Sequence, residues 1–332
     1  MGRRILIIQT AFIGDVILAT SLLERIHASE PDAEITVLVR EGNQSLLQEH
    51  PFIREVWTWE KRRAKYSGLF KLMRRIRKQR FDAVINAQRF ASTGFLTAFS
   101  GAKERIGFDK NPFTRFFTRS VKHEISNLGD TPIIHEVQRL QSLYFSEERT
   151  DIRPKLYPSP ADEERAEGLA QLPFITISPG SVWATKQVPS AVWSALIEQV
   201  SCQVFLLGSP QDAVLCSEIA ANHTHVKVLA GQLNLLQSAA LMRRAVMNYV
   251  NDSAPLHLCS AVNAPVAAVF CSTIPAFGFG PLSDHSHVIE AQPAPPCRPC
   301  GLHGKKACPE GHFACAKTIS ADRLATLLQG TR

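Results

Sequence analysis

Short aliphatic runs recur along this chain, and apolar residues three and four apart follow most of them. Ile5, Leu6, Ile7 and Ile8 form the first run. An unbroken run of this kind suits a strand covered on both faces, as in a parallel sheet. Residues 35–39, 53–57 and 82–86 repeat the pattern, with a helix expected over 66–79 and another over 133–144. The second half does the same at 174–178, 204–207, 226–229, 246–250 and 266–270. Helices are expected between these runs, over 189–200, 211–221, 233–243 and 254–262. Alternation at this spacing implies βαβ units and therefore parallel sheets. The 332 residues exceed what one core usually holds, so two domains are expected. The polar, proline-containing stretch 146–160 reads as the linker, giving domains 1–155 and 156–332. A last helix, 321–328, is able to cross back onto the first domain.

Three places at the ends of these runs carry chemistry. The first strand stops at Gln9 and Thr10. Gly14 permits a tight turn, and Asp15 opens a helix whose apolar face holds Val16, Leu18, Ala19, Leu22, Leu23 and Ile26. Ligands of open α/β sheets bind outside the carboxyl ends of the strands. The residues alone leave two readings of Asp15 open. It is a helix N-cap, or a general base beside a substrate hydroxyl. The loop from Ser178 through Pro179, Gly180, Ser181 and Thr185 to Lys186 leaves the first strand of the second half and leads to a helix opening near Pro189. Backbone N–H groups, the helix dipole and the lysine all favour an anion, although a structural turn fits the same residues. Asn251, Asp252, Ser253 and His257 follow the strand at 246–250, and Asp252 or Ser253 can cap the next helix. Gly231 follows another strand. No P-loop spacing and no Gly-x-Gly-x-x-Gly follows either first strand, which argues against an NTPase and a nicotinamide enzyme.

Net charge narrows the partners. It is +7, and the segment from Glu60 to Arg80 holds ten lysines and arginines, Lys61, Arg62, Arg63 and Arg74 among them, against a single acid. Residues 103–123 add Arg119 and other cations interleaved with Phe108, Phe113, Phe116 and Phe117. A solvated helix face, a membrane-phosphate wall or a single-stranded nucleic-acid surface all fit. No nucleic-acid-binding motif accompanies the charge. Polar residues break the first apolar stretch, so a secretory signal is not expected, and no apolar run reaches the roughly 20 residues of a membrane span. Eight cysteines then read as reduced thiols or metal ligands. Cys297, Cys300, Cys308 and Cys315, with His303 and His312 nearby, partly match a structural zinc site.

The ordered set of Gly14-Asp15, Pro179-Gly180-Ser181 through Lys186, Gly231, Asn251-Asp252-Ser253 through His257, and the cysteine segment resembles glycosyltransferase family 9. These are the ADP-heptose:lipopolysaccharide heptosyltransferases, and the likeness is greatest to the heptosyltransferase II members. The resemblance spans nearly the whole chain. It departs at Gln187-Val188-Pro189, where those members more often have Arg-Trp-Pro, and at Ala254-Pro255, where many have Gly-Leu. It implies a GT-B fold, an α/β architecture of two Rossmann-like domains with parallel sheets facing across a cleft. The first domain would bind the acceptor, lipid A carrying the inner core, through Gly14, Arg62, Arg63, Arg74 and Arg119. The second would bind ADP-heptose through Pro179, Gly180, Ser181, Thr185, Gly231, Asn251, Asp252, Ser253 and His257. Asp15 would be the base of an inverting transfer and Lys186 would stabilise the leaving diphosphate. No cofactor is implied for catalysis, a structural zinc being the one metal the cysteines allow. The implied location is cytoplasmic, at the anionic inner leaflet of the inner membrane, with no nucleic acid involved. The same fold accommodates another nucleotide sugar, and a basic nucleic-acid-binding protein without enzymatic activity is the rival class.

Overall fold

The computed structural model describes residues 2–61, 65–126, 129, 132–146, 153–169 and 173–329. The chain divides into two units, one of Met1–Ser126 and Ile134–Tyr157, the other of Asn127–Ile133 and Pro158–Arg332. The first unit runs β1 (Arg4–Gln9), α1 (Ile13–Ser29), β2 (Glu34–Arg40), β3 (Ile53–Trp59), α2 (Lys65–Gln79), β4 (Ala83–Asn86), α3 (Ala91–Ala98), β5 (Glu104–Phe108), β6 (Arg119–Val121) and α4 (Glu136–Ser142). Its sheet is parallel, in the order β3-β2-β1-β4-β5-β6. β1 lies centrally between β2 and β4, and Ile5 to Ile8 are wholly buried, as an uninterrupted aliphatic run requires.

The second unit runs α5 (Pro160–Glu167), β7 (Phe174–Ser178), α6 (Ser190–Glu198), β8 (Gln203–Leu206), α7 (Ala213–Ala220), β9 (Val226–Val228), α8 (Leu235–Arg244), β10 (Met247–Asn251), α9 (Ala254–Val262), β11 (Val266–Phe270), β12 (Ser286–Glu290), α10 (Ala314–Lys317) and α11 (Ala321–Gln329). Its parallel sheet has the order β12-β11-β10-β7-β8-β9. Counted from each unit's own first strand, both orders are 3-2-1-4-5-6, the doubly wound arrangement. Helices on a parallel sheet must cover both faces, and Trp193, Leu196, Ile197 and Tyr249 fill the core beneath them.

Six elements escape the sequence pattern: α3, β5, β6, α5, β12 and α10. β5 reads Glu-Arg-Ile-Gly-Phe, and β6 and β12 are outermost strands with polar residues, so none shows an aliphatic run. Pairing to a neighbour, not local propensity, makes them strands. The final helix packs on the core of its own unit. Leu324 of α11 is buried in the second core, its carbonyl accepts from Tyr249 Oη at 2.9 Å, and Asp322 accepts from Gln199 just past α6.

Candidate functional site

In a 3-2-1-4-5-6 sheet the strand order reverses between the first and fourth strands. Their carboxyl ends part there and leave a crevice. In the first unit that point lies between β1 and β4. Thr10, just past β1, donates from both its N–H and its hydroxyl to Gln88 Oε1, just past β4, at 3.1 and 2.6 Å. Asn43 holds the same loop by donating to Ala11 O at 3.1 Å. Asp15 occupies the third position of α1, and Phe12 holds the N-cap position that one of the two readings gave to the aspartate. Its Oδ2 accepts from the Phe12 N–H at 3.1 Å, which still satisfies one orphan donor of the helix start. Asp15 is half-buried, and Gly14 beside it is too.

Charges outside the expected site residues surround this point. Glu136, at the start of α4, is buried, and burial raises its carboxyl pKa. Arg139, 2.6 Å away, opposes that rise, Asp15 adds to it, and Arg89 opposes it further. His123 is held neutral, its pKa pushed down to about 4 by burial and then by Arg89, Arg139 and Lys110. Lys61 Nζ donates to Thr10 Oγ1 at 2.7 Å and lies 4.9 Å from the Trp59 ring centre. Burial, then Arg40, brings its pKa down to about 8. No local pattern foretells this group, because it assembles from segments far apart along the chain.

Of the expected acceptor residues, Arg62 and Arg63 lie outside the described residues. Arg74 is exposed on α2. Arg119 donates to Tyr144 O at 2.9 Å and Ser142 O at 3.1 Å. It therefore also serves the carbonyl end of α4, where a cation is favoured.

In the second unit the reversal lies between β7 and β10, and here the two expected motifs meet. Asn251, wholly buried at the end of β10, donates to Pro179 O at 2.7 Å and accepts from Val188 N at 3.2 Å. One amide thus ties both ends of the 179–188 loop to the neighbouring strand. Ser253 holds the N-cap position of α9 but makes no side-chain cap bond; its hydroxyl lies 3.5 Å from Gly180 O and from Asn251 O. Asp252 does not cap the helix either. It pairs with Lys186 Nζ at 2.6 Å and accepts from Thr273 Oγ1 at 2.6 Å. Both partners are largely buried, 14% and 7% exposed at the side chain. A pair this dry keeps both charges only because each is matched.

The rest of the loop is equally fixed. Ser181 O accepts from Gln187 Nε2 at 2.6 Å. Thr185 is buried, and its Oγ1 accepts from Ser272 at 3.0 Å and from the Lys305 N–H at 2.8 Å. Gly180 is required by close approach, since a Cβ there would lie 2.2 Å from Asp212 Oδ1. Gly231 is required by conformation, with φ at +76°, and its N–H donates to Gly208 O at 2.9 Å. His257 is buried one turn into α9. Lys186 closes a short 3-10 turn, Ala184–Lys186, and α6 opens after Pro189, which takes the N-cap position. The backbone at such a helix start and the Lys186 ammonium suit a phosphate.

The cysteine segment braces this loop. Cys300 N donates to Ser272 O at 2.9 Å, Lys305 exchanges bonds with Thr185, and buried Arg298 ties the segment to Phe270, Thr273 and Glu290. Cys297, Cys300, Cys308 and Cys315 are free thiols. Burial raises the pKa of the Cys300 and Cys315 thiols, and the neighbouring cysteines add to the rise. Yet among the described residues no three His, Cys, Asp or Glu side chains form a group fit to hold a metal. The four sulfurs lie near one another, with Cys297 Sγ 3.7 Å from His312 Nε2. Among the described residues no helix is long and apolar enough to cross a membrane.

The sequence model described as glycosyltransferase family 9 (heptosyltransferase) matches residues 69–308. The chain is 25% identical to lipopolysaccharide heptosyltransferase 3 of Escherichia coli, over 79% of this chain and 82% of that one. It is 26% identical to lipooligosaccharide heptosyltransferase 2 of Haemophilus influenzae, over 86% and 88%. The structure of E. coli ADP-heptose lipopolysaccharide heptosyltransferase II superposes with a TM-score of 0.78, covering 99% of this chain and 98% of that one at 22% identity. The two doubly wound units are therefore those of the GT-B heptosyltransferases, and the nucleic-acid-binding alternative falls away. This chain belongs to glycosyltransferase family 9, the heptosyltransferases, and is a glycosyltransferase.

Proposed function

We propose that the protein transfers a heptose from ADP-heptose to the inner core of a lipid A-linked acceptor, with inversion, at the cytoplasmic face of the inner membrane. The observation that carries this reading is the pair of switch points. One presents a carboxylate, Asp15, and the other a braced anion site at Lys186. In the step itself the acceptor oxygen attacks the anomeric carbon from the face opposite the diphosphate. The new carbon–oxygen bond forms as the bond to the phosphate oxygen breaks, and the hydroxyl proton passes to Asp15. Charge then grows on the departing ADP. An ammonium has three donors, so Lys186 can keep Asp252 and still face the phosphate oxygens. The start of α6 and the loop N–H groups add fixed positive ends of dipoles.

Pro179, Gly180, Ser181, Thr185, Gly231, Asn251, Asp252, Ser253 and His257 belong to the donor site in this reading, as contacts or as its frame. Gly14, Arg74 and Lys61 belong to the acceptor side, joined by Arg62 and Arg63. A partly buried lysine gains most from an anionic partner, so Lys61 suits an acidic inner-core sugar or its phosphate. No catalytic cofactor enters the scheme. The test is a transfer assay with ADP-, GDP-, UDP- and dTDP-sugars side by side on a core acceptor, with wild type and Asp15→Asn. Transfer from ADP-heptose alone is expected. Asp15→Asn preserves the acceptor for the Phe12 N–H, and should cost about 10²- to 10⁴-fold in kcat while donor binding stays. Preference for another nucleotide would refute the donor, and undiminished turnover by the variant would refute the base.

A further inference from the structure

We propose that an exposed phenylalanine patch on the first unit docks the enzyme onto an anionic lipid bilayer; this rests on the reading above that the acceptor is lipid-borne. Five rings form one continuous surface. Phe70 of α2 meets Phe95 of α3 at 6.0 Å, Phe95 meets Phe99 at 5.0 Å, and Phe99 meets Phe113 and Phe116 at 6.2 and 5.6 Å. Three of them remain open to solvent, Phe70 at 52%, Phe99 at 40% and Phe116 at 38%. Scattered exposed apolar side chains are ordinary, but a contiguous aromatic patch marks a surface that something covers.

Charge selects the occupant. Lys71 adjoins Phe70, the Arg115 guanidinium lies 4.8 Å from the Phe116 ring centre, and Lys110, Arg74 and Lys78 are exposed. Residues 65–80 contain no acid. Aromatic rings ringed by cations match the headgroup layer of an anionic leaflet, where rings enter the interface and cations meet phosphates. A single-stranded nucleic acid needs free ring faces for stacking. Here Phe70 and Phe95, Phe95 and Phe113, and Phe99 and Phe113 all meet at 77°, edge to face, so these rings do not line up as a row of parallel stacking faces.

The test is co-sedimentation of the full chain with vesicles of phosphatidylglycerol and phosphatidylethanolamine, against vesicles of phosphatidylcholine. Binding to the anionic vesicles alone is expected. Phe99→Ser with Phe116→Ser should weaken it about tenfold or more, from the lost burial of two rings. Phe99→Trp with Phe116→Trp should keep binding and shift tryptophan emission to the blue on vesicle addition, beyond any change in wild type. Both variants should glycosylate a delipidated, soluble core acceptor at the wild-type rate. Unchanged vesicle binding by the serine variant, an unshifted tryptophan signal, or a signal that responds to RNA and not to vesicles would each overturn the docking surface. Vesicle results as expected support the patch even where no sugar is transferred, in which case it is the donor and acceptor assignment that fails.

Discussion

Lys186 shows how far a single residue can be read from sequence. Its charge beside a Gly/Ser loop already suggested an anion partner. What it touches, Asp252, lies 66 positions away, and no spacing rule links the two. The pair predicts a mixed phenotype for Lys186→Ala. Removing one partner of a buried ion pair leaves the other charge stranded, at a cost of about 3 kcal/mol, and the loss of diphosphate stabilisation should lower kcat about a hundredfold. Adding Asp252→Asn should recover most of the stability and none of the rate. Urea unfolding beside steady-state kinetics separates the two effects, and wild-type kcat in the single variant would remove Lys186 from the chemistry. Arg119 is the opposite case. Its charge was legible, but not that a helix end some 25 positions on takes two of its N–H donors.

Among the elements, strands with continuous aliphatic runs were legible because burial on both faces forces that composition. Edge strands β6 and β12 were not, because half their surroundings are solvent or loop and polar residues fit. The cysteine segment is an element of another sort, with little regular structure before α10. Its spacing suggested a metal, and its contacts also brace the 179–188 loop. Gly304 marks the tightest point, where a Cβ would lie 2.4 Å from Trp183 Cβ and 2.9 Å from Lys186 Cγ. Gly304→Ala should therefore push the loop aside and raise the donor KM about tenfold or more, with the acceptor KM little changed. An unaltered donor KM, measured by varying each substrate in turn, would mean that the brace does not shape the site.

For the molecule as a whole, buried histidines contribute to the loss of stability in acid, beside carboxylates such as Asp82 and Asp162 whose pKa values are lowered. His50 and His123 are 4% and 6% exposed, and both have pKa values pushed down to about 4, chiefly by burial. The unfolded chain binds their protons near pH 6.5 and the folded chain only near pH 4. Stability from these groups is thus complete above pH 6.5 and lost as pH falls toward 4, on the order of 3 kcal/mol for each. His123→Phe, which keeps the edge-on contact with Phe108, should reduce the stability difference between pH 7.5 and pH 5 by about 2 kcal/mol in urea titrations. An unchanged difference would mean that His123 is not buried neutral. Two doubly wound α/β units, the loops at their strand ends and the family likeness were determined by the sequence itself, because strand burial and helix periodicity are local constraints that leave a local record. Which loops meet, which cations the fold consumes, and whether four thiols converge were decided only in the tertiary structure. Those outcomes depend on strand order, and strand order brings together residues whose separation along the chain carries no information about their distance in space.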